Sequence, residues 1–147
     1  MNLESILEMW KKDAEIDEVQ LDEASRDSAK LHSKYLDLYS VAKIKQKDLE
    51  LKFKVILRDK FKHYNGKLSQ EEIDQKGWEY DPLDGLTVLK GDLDKWYDAD
   101  DVIQDHQRKM AYNGEVVNTL KEILDNIKWR HQNIKNMIEW RKFTSGI

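Results

Sequence analysis

The sequence predicts an all-α protein: two long helices and a short N-terminal one, with an irregular acidic crossover joining the long pair. Three observations predict it. The 147 residues include one proline and six glycines, and neither type occurs before Gly66, so nothing in the first part of the chain breaks a helix. Apolar residues recur at seven-residue intervals in two separate stretches, the mark of a helix face that packs against another helix. Hydrophobic residues make up 39% and charged residues 37%. That apolar share is low for one compact core and suits long helices that share a core with neighbouring copies.

In chain order, Asn2 is placed to cap a short helix carrying Leu3, Ile6, Leu7 and Trp10 on one side. Asp17 followed by Gln20 resembles a capping box that opens a second helix, expected from about Glu18 to about Tyr64. Leu21, Ser28, Tyr35, Ala42, Leu49 and Ile56 lie on its repeating position, and Leu31 and Leu38 on the complementary one. At 1.5 Å per residue this helix would be roughly 70 Å long, so its seam requires a partner. Asn65-Gly66 suits its end, because both residues tolerate left-handed backbone.

The crossover, 67–99, opens with Ser69 and Glu72 in capping-box spacing, and Gly77, Pro82, Gly85 and Gly91 then exclude a continuous helix. Trp78, Tyr80, Trp96 and Tyr97 make it aromatic. Either these rings tuck the crossover onto the helices, the favoured reading, or they dock a partner. A third helix is expected from about Asp101 to about Lys142. Ile103, Met110, Val117, Leu124, His131 and Ile138 repeat every seven residues, Leu120, Ile127 and Ile134 fill the companion positions, and Val116, Ile123 and Met137 widen the stripe. A face this wide meets more than one neighbour. Val117, Leu120, Leu124, Ile127, Ile134 and Ile138 are therefore the expected self-assembly residues. The chain reads as one helical domain, with 1–66 and 100–147 flanking the crossover.

The net charge of −4 hides an asymmetry. From Lys43 to Lys67 there are nine Lys/Arg against three Asp/Glu; from Glu71 to Asp105 there are twelve Asp/Glu against three Lys. An acidic protein that binds nucleic acid must concentrate its positive field, as this one does before Lys67. On a helix, Lys54 and Arg58 share a face, as do Lys60 and Tyr64. Cations there would draw in phosphates, and Phe61, His63 and Tyr64 would stack on unpaired bases. A second cluster closes the chain, with Lys128, Arg130, His131, Lys135, Arg141 and Lys142 among Trp129, Trp140 and Phe143; it either complements the helix dipole or makes a second DNA contact.

Other chemistry is not indicated. There is no cysteine, so disulfides and thiolate metal sites are excluded. His32, His63, His106 and His131 are scattered, and Asp92, Asp94, Asp98 and Asp100 lack the glycine and glutamate of a calcium loop. No phosphate loop or nucleophile elbow occurs. No enzyme activity and no cofactor are expected, and the absence of a long apolar run or signal pattern points to a soluble, cytoplasmic protein.

The order of features resembles the UvsY family of phage recombination mediators. The opening Leu3-Glu4-Ser5-Ile6 to Asp13-Ala14-Glu15-Ile16-Asp17 is similar to the family's start. The family's basic motif, Leu-Lys-Ala-Arg-Leu followed by a tyrosine and a glycine, has its counterpart in Leu57-Arg58-Asp59-Lys60-Phe61, then Tyr64 and Gly66. The closing Ile134-Lys135-Asn136-Met137-Ile138-Glu139-Trp140-Arg141-Lys142-Phe143, before Gly146, resembles the C-terminal signature most specifically. Asp59 departs from the motif by standing where a small neutral residue is usual, and the two cations exchange type.

The resemblance implies a ring-like homo-oligomer, a heptamer in the best-known member. It implies binding to single-stranded DNA covered by the phage single-strand-binding protein, and the loading of a RecA-like recombinase in the cytoplasm of an infected bacterium. Arg58 and Lys60 would be the principal DNA contacts, supported by Lys54, Lys62, His63, Tyr64 and Lys67. Such work shifts competing binding equilibria and catalyses nothing, and repeating a weak patch around a ring gives avidity on one strand. A helical adaptor that binds only proteins is the alternative.

Overall fold

The computed structural model describes residues 1–146 as helices and their connections: α1 Leu3–Asp13, α2 Leu21–Tyr64, α3 Gln70–Lys76, a 3-10 turn Lys90–Asp92, α4 Leu93–Ala99 and α5 Asp101–Thr144. No strand occurs among the described residues. The fold class expected from the sequence is therefore the one observed. The chain divides into two compact units, one made of residues 1–45 and 113–147 and the other of residues 46–112. Both boundaries fall inside a long helix.

In the first unit, α1 starts where Asn2 accepts a hydrogen bond from the Ser5 N–H at 2.8 Å. The Asp17 carboxylate accepts from the Val19 N–H at 2.9 Å, which makes it part of a turn, and α2 begins later, at Leu21. The seam of α2 meets α1 and the C-terminal part of α5. Ile6, Tyr35, Ala42, Val116, Leu120, Ile123 and Ile127 form one buried cluster, and Leu21, Ala24 and Ile134 form another. Trp10 sits edge-on to Tyr35 with ring centroids 5.4 Å apart. The partner that the long seam requires is thus supplied by the same chain.

This changes the reading of the self-assembly residues. Leu120, Ile127 and Ile134 are buried in one copy, while Val117, Leu124 and Ile138 are half-buried and pack against the same clusters. The wide apolar face of α5 does meet two neighbours, but they are α1 and α2. Asn113 and Arg130 continue that face as buried polar residues. The Asn113 amide donates to the Ala42 carbonyl at 3.0 Å.

Arg130 lies under the end of α1, where its guanidinium donates to the carbonyls of Asp13, Ala14 and Glu15 at 3.4, 3.2 and 3.0 Å. Those carbonyls have no partner within the helix. Arg130→Met keeps the bulk and removes the donors, and hydrogen bonds to a charged group each contribute about 1.5–3 kcal/mol. We expect this variant to lose about 2 kcal/mol of stability, read as a lower urea midpoint.

In the second unit, Ser69 caps α3 by accepting from the Glu72 N–H, and Gly77 ends it in left-handed backbone at φ +67°. The N-terminal part of α5 packs against the end of α2. His106 stacks on Phe53 with ring centroids 5.6 Å apart, and its Nε2 lies 2.7 Å from the Leu49 carbonyl oxygen. The expected irregular crossover contains the short helices α3 and α4.

Candidate nucleic-acid interface

The basic stretch occupies the last turns of α2, and the helix divides it into two faces. Lys54, Arg58, Phe61 and Lys62 follow one another at four- and three-residue steps or side by side, and all four are exposed. Lys67 is also exposed, just past the helix. Phe61 leaves 44% of its surface in water. This face joins cations and a ring on one solvated side of a helix.

The other face turns inward. Lys60 is only 4% exposed, and its Nζ lies 3.0 Å from Oδ2 of Asp100 and 3.9 Å from the centre of the Trp78 ring. The Tyr64 hydroxyl donates to the same Asp100 oxygen at 2.6 Å. His63 is buried; its Nε2 lies 2.6 Å from the Glu79 carbonyl oxygen, its Nδ1 has no hydrogen-bond partner among the described residues, and Trp78 packs on it with ring centroids 5.1 Å apart. Tyr64 contacts Trp96 and Tyr97, and the Tyr97 hydroxyl donates to the Leu57 carbonyl at 3.3 Å. Trp78 and Tyr97 are therefore tucked onto α2, whereas Trp96 touches Tyr64 but is 44% exposed and Tyr80 is 67% exposed.

Of the seven residues read as DNA contacts, the structure presents Lys54, Arg58, Lys62 and Lys67 to solvent. It places Lys60, His63 and Tyr64 in the packing beneath them. The reason is charge: a buried ammonium must have a counterion, and Asp100 provides it. Asp100 also caps α5 by accepting from the Ile103 N–H at 3.0 Å. Burial pushes the Asp100 carboxyl up, but hydrogen bonds from Tyr64, the Ile103 N–H and Lys60 outweigh it, and its pKa lies below the ordinary value. The Tyr64 hydroxyl is pushed up by burial and by Asp100. Asp100 was missed as a partner because Lys60 lies forty residues away in sequence. The available signal was an aspartate immediately before an apolar helical repeat, which is where a cap belongs.

Asp59 sits between two cations. Nη2 of Arg58 lies 3.1 Å from one carboxylate oxygen and Nζ of Lys76 lies 3.2 Å from the other. Burial raises the Asp59 pKa, but hydrogen bonds from Lys76 and Arg58 outweigh it and hold the group below its usual range. Asp59 thus ties Arg58 to α3 and offsets part of the positive charge on the exposed face.

Fold and face together define an all-helical protein of long amphipathic helices, with a solvated row of cations and a ring near the end of one of them. A family model described as "Recombination, repair and ssDNA binding protein UvsY" matches residues 9–147. The chain belongs to the UvsY family. The recombination protein uvsY of Enterobacteria phage T4 is 28% identical over 146 residues, 99% of each chain. One crystal structure of the bacteriophage T4 recombination mediator protein UvsY superposes with a TM-score of 0.84 at 26% identity, over 99% of this chain and 98% of that one. Another crystal form of the same protein gives 0.80 at 24% identity, over 98% and 99%, and shows the fold alone.

Proposed function

We propose that this chain is a recombination mediator that binds single-stranded DNA through the exposed face of Lys54, Arg58 and Lys62, extended by Lys67. The observation that carries the reading is the family match over residues 9–147, within which Arg58 and Phe61 of the basic motif lie on that face and Lys60 lies beneath it. Lys60, His63 and Tyr64 act from beneath by fixing the end of α2 against Asp100 and the crossover. The mediator works on strands covered by the phage single-strand-binding protein and helps load a RecA-like recombinase. It shifts the balance between two binding partners and uses no cofactor.

Several copies acting on one strand strengthen a patch that is weak alone, and a ring of seven copies is the assembly this reading adopts. Leu120, Ile127 and Ile134 are buried inside one copy, so contacts between copies fall to apolar side chains with surface left in water, Val41 and Ile44 at 67% and 72% exposed among them. Among the described residues no helix is long and apolar enough to cross a membrane, and the reading places the protein in the cytoplasm of an infected bacterium.

The test is binding of an unstructured oligonucleotide as salt is raised. Affinity should fall linearly on logarithmic axes, whereas a protein-only adaptor would show no such dependence. Asp59→Ala sharpens the test. It removes a carboxylate beside Arg58, and a charge pair about 4 Å apart in water contributes roughly 1 kcal/mol. Affinity at low salt should rise about fivefold; weaker binding in this variant would contradict the placement of the strand on this face.

A further inference from the structure

We infer that the crossover carries a docking surface for a cationic segment of a protein partner, one that presents a large apolar side chain between lysines or arginines. None of its residues lies on the basic face of α2, so it stands whether or not that face holds DNA. Within the second unit, residues between 82 and 96 line an open concavity of about 400 Å³. Its lining includes Leu83, which is buried, Val88, which is half-buried, and Trp96. Leu86 and Leu89 also line it and are 76% and 73% exposed. The unit's own packing does not account for these two leucines, since Ile73 and Leu83 already supply the buried apolar residues of the crossover.

The loop that holds them is set before any partner arrives. Asp81 and Asp84 take left-handed backbone at φ 47° and 51°, followed by Gly85 at φ 79°; aspartate and glycine are residues that accept this geometry. The Gly85 N–H donates to the Asp81 carboxylate at 2.9 Å, and the Leu86 N–H donates to the Leu83 carbonyl at 3.0 Å. An ordered loop lowers the entropy lost on association.

Charge selects the partner. Two carboxylates, Asp84 and Asp92, line the concavity. Asp84 makes no ion pair among the described residues, and Asp92 meets the exposed Lys95 at 3.4 Å; a pair so exposed offsets little charge. Over 79–98 there are six Asp/Glu against two Lys. Such a surface repels a phosphate backbone and anionic lipid headgroups, so neither nucleic acid nor an acidic membrane fits it. It attracts cations. The leucines offer apolar contact to the stem of a lysine or arginine and to a neighbouring apolar side chain, and Trp96 offers a ring face to the charge.

The experiment uses the full chain and a labelled peptide of about ten residues, roughly 30 Å when extended, with lysines on both sides of a central tryptophan. The parent should bind it, and binding should weaken as salt rises. The same peptide with glutamates for its lysines, or glycine for its tryptophan, should bind about tenfold more weakly. Leu86→Ser with Leu89→Ser should weaken binding about tenfold, with helicity unchanged because both side chains lie largely in water. Asp84→Asn with Asp92→Asn, which keeps at 84 a residue tolerant of left-handed backbone, should weaken it about threefold and flatten the salt dependence. A parent that ignores the cationic peptide, or leucine and aspartate variants that bind it as the parent does, overturns the docking surface and leaves the DNA face untouched. A lower mass of the leucine variant in solution also overturns it, because the surface then meets a second copy. So does a loss of oligonucleotide affinity in that variant, which would put the leucines in the path of the strand.

Discussion

Asp100→Ala is expected to remove about 3–5 kcal/mol of stability, the usual cost of breaking a buried ion pair by deleting one partner. Three groups depend on that carboxylate: the Lys60 ammonium at 3.0 Å, the Tyr64 hydroxyl at 2.6 Å and the Ile103 N–H at the start of α5. Without it, Lys60 is left as an unpaired charge under Trp78. Urea denaturation followed by tryptophan fluorescence reads the loss directly, since Trp78 and Trp96 both border the site. A midpoint equal to the parent's would show that Asp100 does not hold this unit together.

The same geometry separates the roles of two neighbouring cations. Lys60→Met removes a side chain that is 5% exposed, whereas Arg58→Ala removes one that is 63% exposed. The first should act mainly on stability and the second mainly on DNA affinity. The pH dependence has a definite sign. A carboxyl with a depressed pKa in the folded chain contributes stability above its unfolded pKa and loses it as pH falls through the folded value. Asp100, Asp59 and Asp13 are all depressed, so stability should decline below about pH 4, the ordinary carboxylate range. Asp100→Ala should lack its share of that decline.

Helical periodicity was legible because it is local. The repeat through Leu21, Tyr35 and Ala42 pointed to the buried side of α2, and Asn2, Ser69 and Gly77 marked helix ends by chemistry that acts over a few residues. Two things were not legible. One was the identity of the partner for each seam: a heptad pattern states that a face must be covered and does not state by whom, so the apolar face of α5 reads from the sequence as a self-assembly surface. The other was the set of long-range polar pairs. Lys60 and Arg130 look like solvated cations in a basic run, and only the fold brings Asp100 to one and the end of α1 to the other. Within the candidate site, the row of Lys54 and Arg58 followed from four-residue spacing, whereas the inward turn of His63 and Tyr64 depended on a crossover without periodicity.

Replacing Lys54, Arg58 and Lys62 together by alanine is expected to weaken single-strand binding by about 100-fold at low salt, on the basis of roughly 1 kcal/mol for each phosphate contact. Each contact also contributes about 0.7 to the slope of log affinity against log salt for a single strand, so the slope should flatten by about 2. The fold gives no reason for the variant to unfold. All three side chains point into water, none supports the Asp100 network, and alanine is the best helix former. Circular dichroism should therefore be unchanged while binding collapses. Avidity adds a further mark. Where several copies hold one strand, a small loss per copy multiplies along it, and the loss should grow with oligonucleotide length up to the span of the assembly. A loss that is the same on short and long strands would mean that each copy binds alone. An unchanged slope would mean that phosphates are held elsewhere on the chain.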